Sequence, residues 1–117
     1  MTMSEGQIVL VKFPFSDLES TKKRPALVIK TVKLTHSLSV ITLAMVSSRV
    51  DGLALEGDVR LKDWQSAKLL HPSMVRLSKI ASVDDALIEK VMGSLSDRDL
   101  QKVRASFRKQ YSFWCKK

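Results

Sequence analysis

A chain of 117 residues with 44% hydrophobic and 27% charged residues has room for one folded domain, and is too apolar for a disordered one. Twenty Lys and Arg against twelve Asp and Glu leave a formal charge of +8 and an isoelectric point near 9.9, which favours a polyanionic partner, either nucleic acid or an acidic protein. No apolar run approaches the roughly 20 residues of a membrane span, and the single Cys115 excludes an internal disulfide framework. Met1 to Gly6 lacks the basic and apolar regions of a secretory signal, so the expected location is the cytoplasm.

The first two thirds read as β. Ile8 to Phe13 is a nearly continuous apolar run, the pattern of a strand covered on both faces, and Pro14 ends it. Ser16 to Lys23 is polar and is expected to be an exposed loop. Pro25 to Ile29 forms a second strand, Thr31 to Ser37 a loop, and Leu38 to Val46 a long third strand rich in β-branched residues. Gly52 and Gly57 punctuate short strands around Leu53 to Leu55 and Val59 to Leu61. Trp64 to Leu70 suits a single helical turn closed by Pro72. Met74 to Ile80 is another strand, Asp84-Asp85 a turn, and Ile88 to Gly93 a last short strand.

The end of the chain is helical. Ser96 with Asp99 three residues on resembles a capping box, with Asp in place of Glu or Gln. Leu100, Val103, Phe107, Tyr111 and Trp114 then recur at spacings of three and four, a single helix face expected to be core. The whole is expected to be one domain over residues 1–117, mainly β with a C-terminal α-helix, folded as a small, strongly bent sheet or barrel.

Several chemistries lack their residues. Zinc needs about four converging ligands, and only His36, His71 and Cys115 are at hand, so no metal site is expected. Four scattered glycines make no phosphate-binding loop, and there is no Gly-x-Ser-x-Gly elbow. No cofactor is implied. Basic residues do cluster, in Lys22-Lys23-Arg24 and along the C-terminal segment from Arg98 to Lys117.

Four blocks carry a family resemblance. Gly6 to Leu18 followed by Lys22-Lys23-Arg24-Pro25-Ala26-Leu27-Val28-Ile29 resembles the opening of the MazF/PemK toxins of bacterial type II toxin–antitoxin modules. The likeness continues through Ile41 to Ser48, Pro72 to Ile80 and Gly93 to Leu100, in order and over nearly the whole chain. It implies an SH3-like barrel of the MazF/CcdB type, acting as a homodimer. It also implies metal-independent, sequence-selective cleavage of single-stranded RNA to 2′,3′-cyclic phosphate and 5′-hydroxyl ends. A cognate antitoxin, acidic and partly disordered, is the implied protein partner.

Within that resemblance Arg24 stands at the family's catalytic arginine, and Ser47 where a catalytic Thr or Ser sits, with Ser48 one residue away as the alternative hydroxyl. Lys22, Lys23 and Arg49 would contact flanking phosphates. Phe15 is a candidate for stacking on a base, although core packing explains it as well. Ser78-Lys79 replaces an acidic residue and Gln that help recognise RNA in better-characterised members, so Lys79 belongs to the RNA contact set while the cleavage sequence does not carry over. Two rivals share the fold: a CcdB-like gyrase poison, to which the aromatic Phe113-Trp114 invites comparison, and a non-catalytic module binding nucleic acid or antitoxin.

Overall fold

The computed structural model describes residues 3–13, 22–52 and 54–115. Six strands, β1 (Gln7–Phe13), β2 (Lys22–Lys33), β3 (Ser39–Ser47), β4 (Asp58–Arg60), β5 (Met74–Asp84) and β6 (Ile88–Ser94), form one sheet in the order β4-β5-β3-β2-β1-β6. All its pairs are antiparallel. A 3-10 turn at Asp85–Leu87 joins β5 to β6, and the helices α1 (Asp97–Gln110) and α2 (Ser112–Cys115) follow. The expected class is thus observed, as a sharply curved sheet open between its edges β4 and β6.

Both faces of the sheet are buried, which explains the continuous apolar runs of β1 and β2. Ile8, Leu27, Ala44, Val46, Val75 and Leu77 point to one face, where Val103, Leu100 and Phe107 of α1 cover them. Val9, Val11, Ala26, Val28, Ile41 and Leu43 point to the other, closed by Met3, Val83 and Ile88 as the sheet bends over itself. The bending has a local cause. Register shifts interrupt β2 between Val28 and Lys30, β1 against β6 at two places, and β3 against β5 between Ala44 and Met45. At the last, β5 runs from Ile80 to Arg76 while β3 advances one residue, so Leu77 to Lys79 bulge out and the sheet turns.

Glycine is required where backbones crowd. A Cβ on Gly93 of β6 would lie 2.7 Å from the Ala67 carbonyl oxygen, inside any normal contact. Gly57, at φ +92°, makes the turn into β4, and its carbonyl accepts the Leu77 N–H at 3.2 Å.

Several boundaries differ from the expectation. β2 extends to Lys22 and Lys33, because the polar ends of this strand still pair with β1 and β3 while their side chains stay in solvent. Residues 22 and 23 are therefore strand rather than loop. Trp64 to Lys68 forms successive turns instead of a helix, although Trp64 packs on the first core. Ala54 and Leu55 lie outside any strand. Trp114 is 82% exposed: α1 ends at Gln110, and the break before α2 carries the last aromatic off the core face.

Asp99 anchors the helix. Ser96 caps α1, its Oγ accepting the Asp99 N–H at 3.3 Å. The Asp99 carboxylate, fully buried, accepts the Lys62 and Asp63 backbone N–H groups at 2.9 and 2.7 Å. Arg98 in turn grips Asp63 with two N–H groups at 2.6 and 2.7 Å. This hydrogen bond, followed by that from Ser96, lowers the Asp63 carboxyl to about 2.

Candidate nucleic-acid interface

Because every strand pair is antiparallel, the ends of β1, β3 and β4 and the starts of β2, β5 and β6 gather on one side of the molecule. Lys12, Lys22, Lys23, Arg24 and Arg60 lie on these ends, and Arg49 two residues beyond β3. A concentration of cations on one edge of a +8 chain is the electrostatic footprint of a polyanion site.

The register sorts these residues. Ala26 pairs with Met45 at the end of the β2–β3 ladder, and Arg24, opposite Val11, and Ser47 each lie two residues further toward the same edge. Directly opposed residues share a face, and this one is the face of Val11, Ala26 and Met45. Arg24 and Ser47 therefore sit together at the rim of the second core, with Arg24 exposed and Ser47 half-buried. Ser48 has the opposite phase and lies beyond the strand, exposed.

Ser47 is oriented by its own chain. Its Oγ accepts the Arg49 backbone N–H at 3.1 Å, so the hydroxyl hydrogen remains to be donated elsewhere. Lys22 shares the Arg24 phase on β2. Lys23 has the other phase, and its Nζ donates to Glu89 of β6 at 2.7 Å, holding that carboxyl below its ordinary range. The register thus separates Lys23 from the Arg24–Ser47 pair. Lys79 is exposed on the β5 bulge, and Phe15 lies outside the described residues.

Further residues share this face. Met45 pairs with Arg76 and Arg76 with Asp58, while Ser47 pairs with Met74 and Met74 with Arg60. Two rows therefore cross the sheet, Ser47–Met74–Arg60 and, one step inward, Ala26–Met45–Arg76–Asp58. Arg60 donates a guanidinium N–H to the Val50 carbonyl, tying β4 to the turn that follows Ser47. Sequence reasoning passed over Arg60, Arg76 and Asp58. The available signal was a charge at position 76 inside the apolar run Met74 to Leu77. Among the described residues, no three His, Cys, Asp or Glu side chains are grouped as a metal would require.

Residues 4–111 match the family model of the PemK-like, MazF-like toxin of type II toxin–antitoxin systems. The chain belongs to this family. Among solved structures, the PemK/MazF-family chain resembles an endoribonuclease in complex with its cognate antitoxin from Mycobacterial species, at a TM-score of 0.69 and 8% identity over 95% of this chain and 96% of that one. It also resembles MazF from Deinococcus radiodurans, with a TM-score of 0.65 and 20% identity over 96% and 98%. For the Mycobacterium tuberculosis toxin MazF-mt6 the values are 0.67 and 16% over 91% and 96%. At these identities the likeness is one of fold. No curated protein matches the sequence. No helix among the described residues is long and apolar enough to cross a membrane.

Proposed function

We propose that this PemK/MazF-family toxin is a metal-independent endoribonuclease that cuts single-stranded RNA, including mRNA, at selected sequences. What supports this reading is that Arg24, opposite Val11, and Ser47, at the end of β3, lie on one face at the basic end of the sheet. In the reaction the ribose 2′-oxygen attacks the adjacent phosphorus and the bond to the 5′-oxygen of the next nucleotide breaks. The 2′-hydroxyl gives up a proton and the departing oxygen gains one, leaving 2′,3′-cyclic phosphate and 5′-hydroxyl ends. Negative charge on the phosphoryl oxygens peaks in the pentacoordinate transition state, and stabilising it is the main task of the site.

Arg24 is suited to that task. Its guanidinium stays charged and can grip two phosphoryl oxygens at once, which a lysine ammonium cannot do in the same plane. Ser47, its oxygen already accepting the Arg49 N–H, donates its hydroxyl hydrogen to the same phosphate. Lys22, Arg49, Ser48 and Lys79 line the path of the flanking strand, Lys23 stands at its margin on Glu89, and Phe15 is assigned to base stacking. The acting species is a homodimer in the cytoplasm, held in check by an acidic, partly disordered antitoxin drawn to its positive charge.

Arg24→Ala should abolish cleavage of RNA in EDTA while leaving the circular dichroism spectrum unchanged, because Arg24 is exposed and outside both cores. Full activity in this variant would remove Arg24 from the mechanism. One observation favours a second reading, the gyrase poison: Phe113 and Trp114 are 67% and 82% exposed, with ring centroids 5.0 Å apart and planes tilted by 44°, an aromatic tail open to a partner. Gyrase inhibition lost on truncation before Phe113, by a chain that leaves RNA intact, would establish that alternative.

A further inference from the structure

The helix α1 does not seal the whole of the sheet face beneath it. A cleft of about 330 Å³ remains between α1, β2 and the turn at Glu5 and Gly6. Its floor is apolar. Leu27 and Val103 are buried there, while Ile29, Leu100 and Phe107 pack on the core and stay half-buried along the opening. Apolar surface gathered in a cleft of this size is what an apolar side chain of a partner can fill.

One wall is cationic. Arg104 and Arg108 stand one turn apart on α1, both exposed and both lining the cleft. The ion pairs among the described residues are Lys23–Glu89, Arg76–Asp58 and Arg98–Asp63, so neither arginine is matched by a carboxylate there. Glu5 also lines the cleft and pairs with neither.

This spacing suits one kind of ligand. Side chains one helical turn apart start about 5–6 Å from each other, and two residues of an extended chain advance about 7 Å. Carboxylates at alternate positions of an extended segment therefore reach both guanidinium groups, while the residue between them turns into the cleft. The cleft also lies on the sheet face opposite the Arg24–Ser47 edge. Leu27 belongs to the core that α1 covers, whereas Arg24, three residues earlier on β2, has the other phase.

Resting on the reading of a toxin held by an acidic antitoxin, we propose that this cleft docks an extended protein segment in which acidic and apolar residues alternate. Its carboxylates pair with Arg104 and Arg108, and one apolar side chain rests on Leu100 and Phe107. The segment engages the toxin from behind the sheet, so it and RNA bind at the same time.

The probe is a short fluorescein-labelled peptide alternating Glu with Leu, followed by fluorescence anisotropy on the full chain. Wild-type protein should bind it more weakly as salt rises, and should bind peptides with Gln for every Glu, or Ser for every Leu, about tenfold less tightly. Arg104→Gln/Arg108→Gln should weaken binding of the Glu–Leu peptide about tenfold. Arg104→Glu/Arg108→Glu should lose that peptide and bind a Lys–Leu peptide in its place. Both arginines are exposed, so these variants should keep the wild-type circular dichroism spectrum and cut RNA as wild type does. Lys22→Gln/Arg49→Gln, at the basic edge, should bind the Glu–Leu peptide with wild-type affinity, and 2′-O-methyl RNA should not displace it.

Equal affinity for the Glu and Gln peptides, wild-type affinity in the Arg104 and Arg108 double variants, or displacement by RNA would each overturn the proposal. Loss of binding in Lys22→Gln/Arg49→Gln would overturn it too, by placing the peptide on the basic edge. A chain that binds the peptide in the cleft yet leaves RNA intact would sink the nuclease reading and leave the docking site standing. A chain that cuts RNA and ignores the peptide would do the reverse.

Discussion

Arg24 and Ser47 are ordinary residues made notable by phase. Each is polar at the end of a strand, and a strand end needs no further explanation for a polar side chain. The Arg-Pro block and the order of the four blocks made Arg24 and Ser47 legible as candidates. The family alignment put Ser47 ahead of Ser48, and the two differ in phase, since one step along a strand changes the face. Ser47→Ala should accordingly reduce kcat about 100-fold by removing one donor to the developing charge, whereas Ser48→Ala should stay close to wild type. Equal losses measured on the same RNA would mean that the hydroxyl is not selected by register. The diversion of Lys23 to Glu89 and the approach of Arg76 to Asp58 span 66 and 18 positions of sequence, and no local pattern encodes them.

At the scale of elements, hydrophobic patterning identified the buried middle of each strand and stopped where burial stopped. It therefore gave β2 as Pro25 to Ile29 and missed the paired, solvent-facing ends that carry Lys22, Lys23 and Arg24. Periodicity likewise continued the α1 stripe to Trp114, because spacing alone does not show a helix breaking at Tyr111. The Ser96–Asp99 cap was legible, but the deeper role of Asp99 depends on Lys62 and Asp63 being brought beneath it. Asp99→Ala leaves two partly buried backbone N–H groups without their acceptor, so urea unfolding should show a loss of about 2–4 kcal/mol.

The neighbouring Asp63 gives a dependence on pH. Its folded carboxyl lies near 2 against 3.8 for an ordinary one, so it favours the folded state above about pH 4 and this contribution fades as pH falls toward 2. In acid titrations followed by circular dichroism, Asp63→Asn should be less stable than wild type near neutral pH, and the gap should close over that window. A gap constant down to about pH 2 would mean that the Arg98 contact does not stabilise the fold.

For the whole molecule, the decisive feature is the order of strands in space. The four family blocks fall on β1 with β2, on β3, on β5, and on the passage from β6 into α1. The sheet order β5-β3-β2-β1 brings three of them side by side, so residues as far apart in sequence as Lys12 and Met74 share one edge. Composition indicated a polyanionic partner, and topology locates the cations that would meet it. In the proposed function, this edge directs a 2′-hydroxyl onto its neighbouring phosphate. It is tested most directly by incubating the protein with a long mixed-sequence RNA in EDTA and mapping the ends produced. Discrete cuts ending in 2′,3′-cyclic phosphate, lost when the scissile ribose is 2′-deoxy, are the predicted result. RNA left intact while a known active toxin cuts it under the same conditions, or cuts that persist at the deoxy sugar, would contradict it.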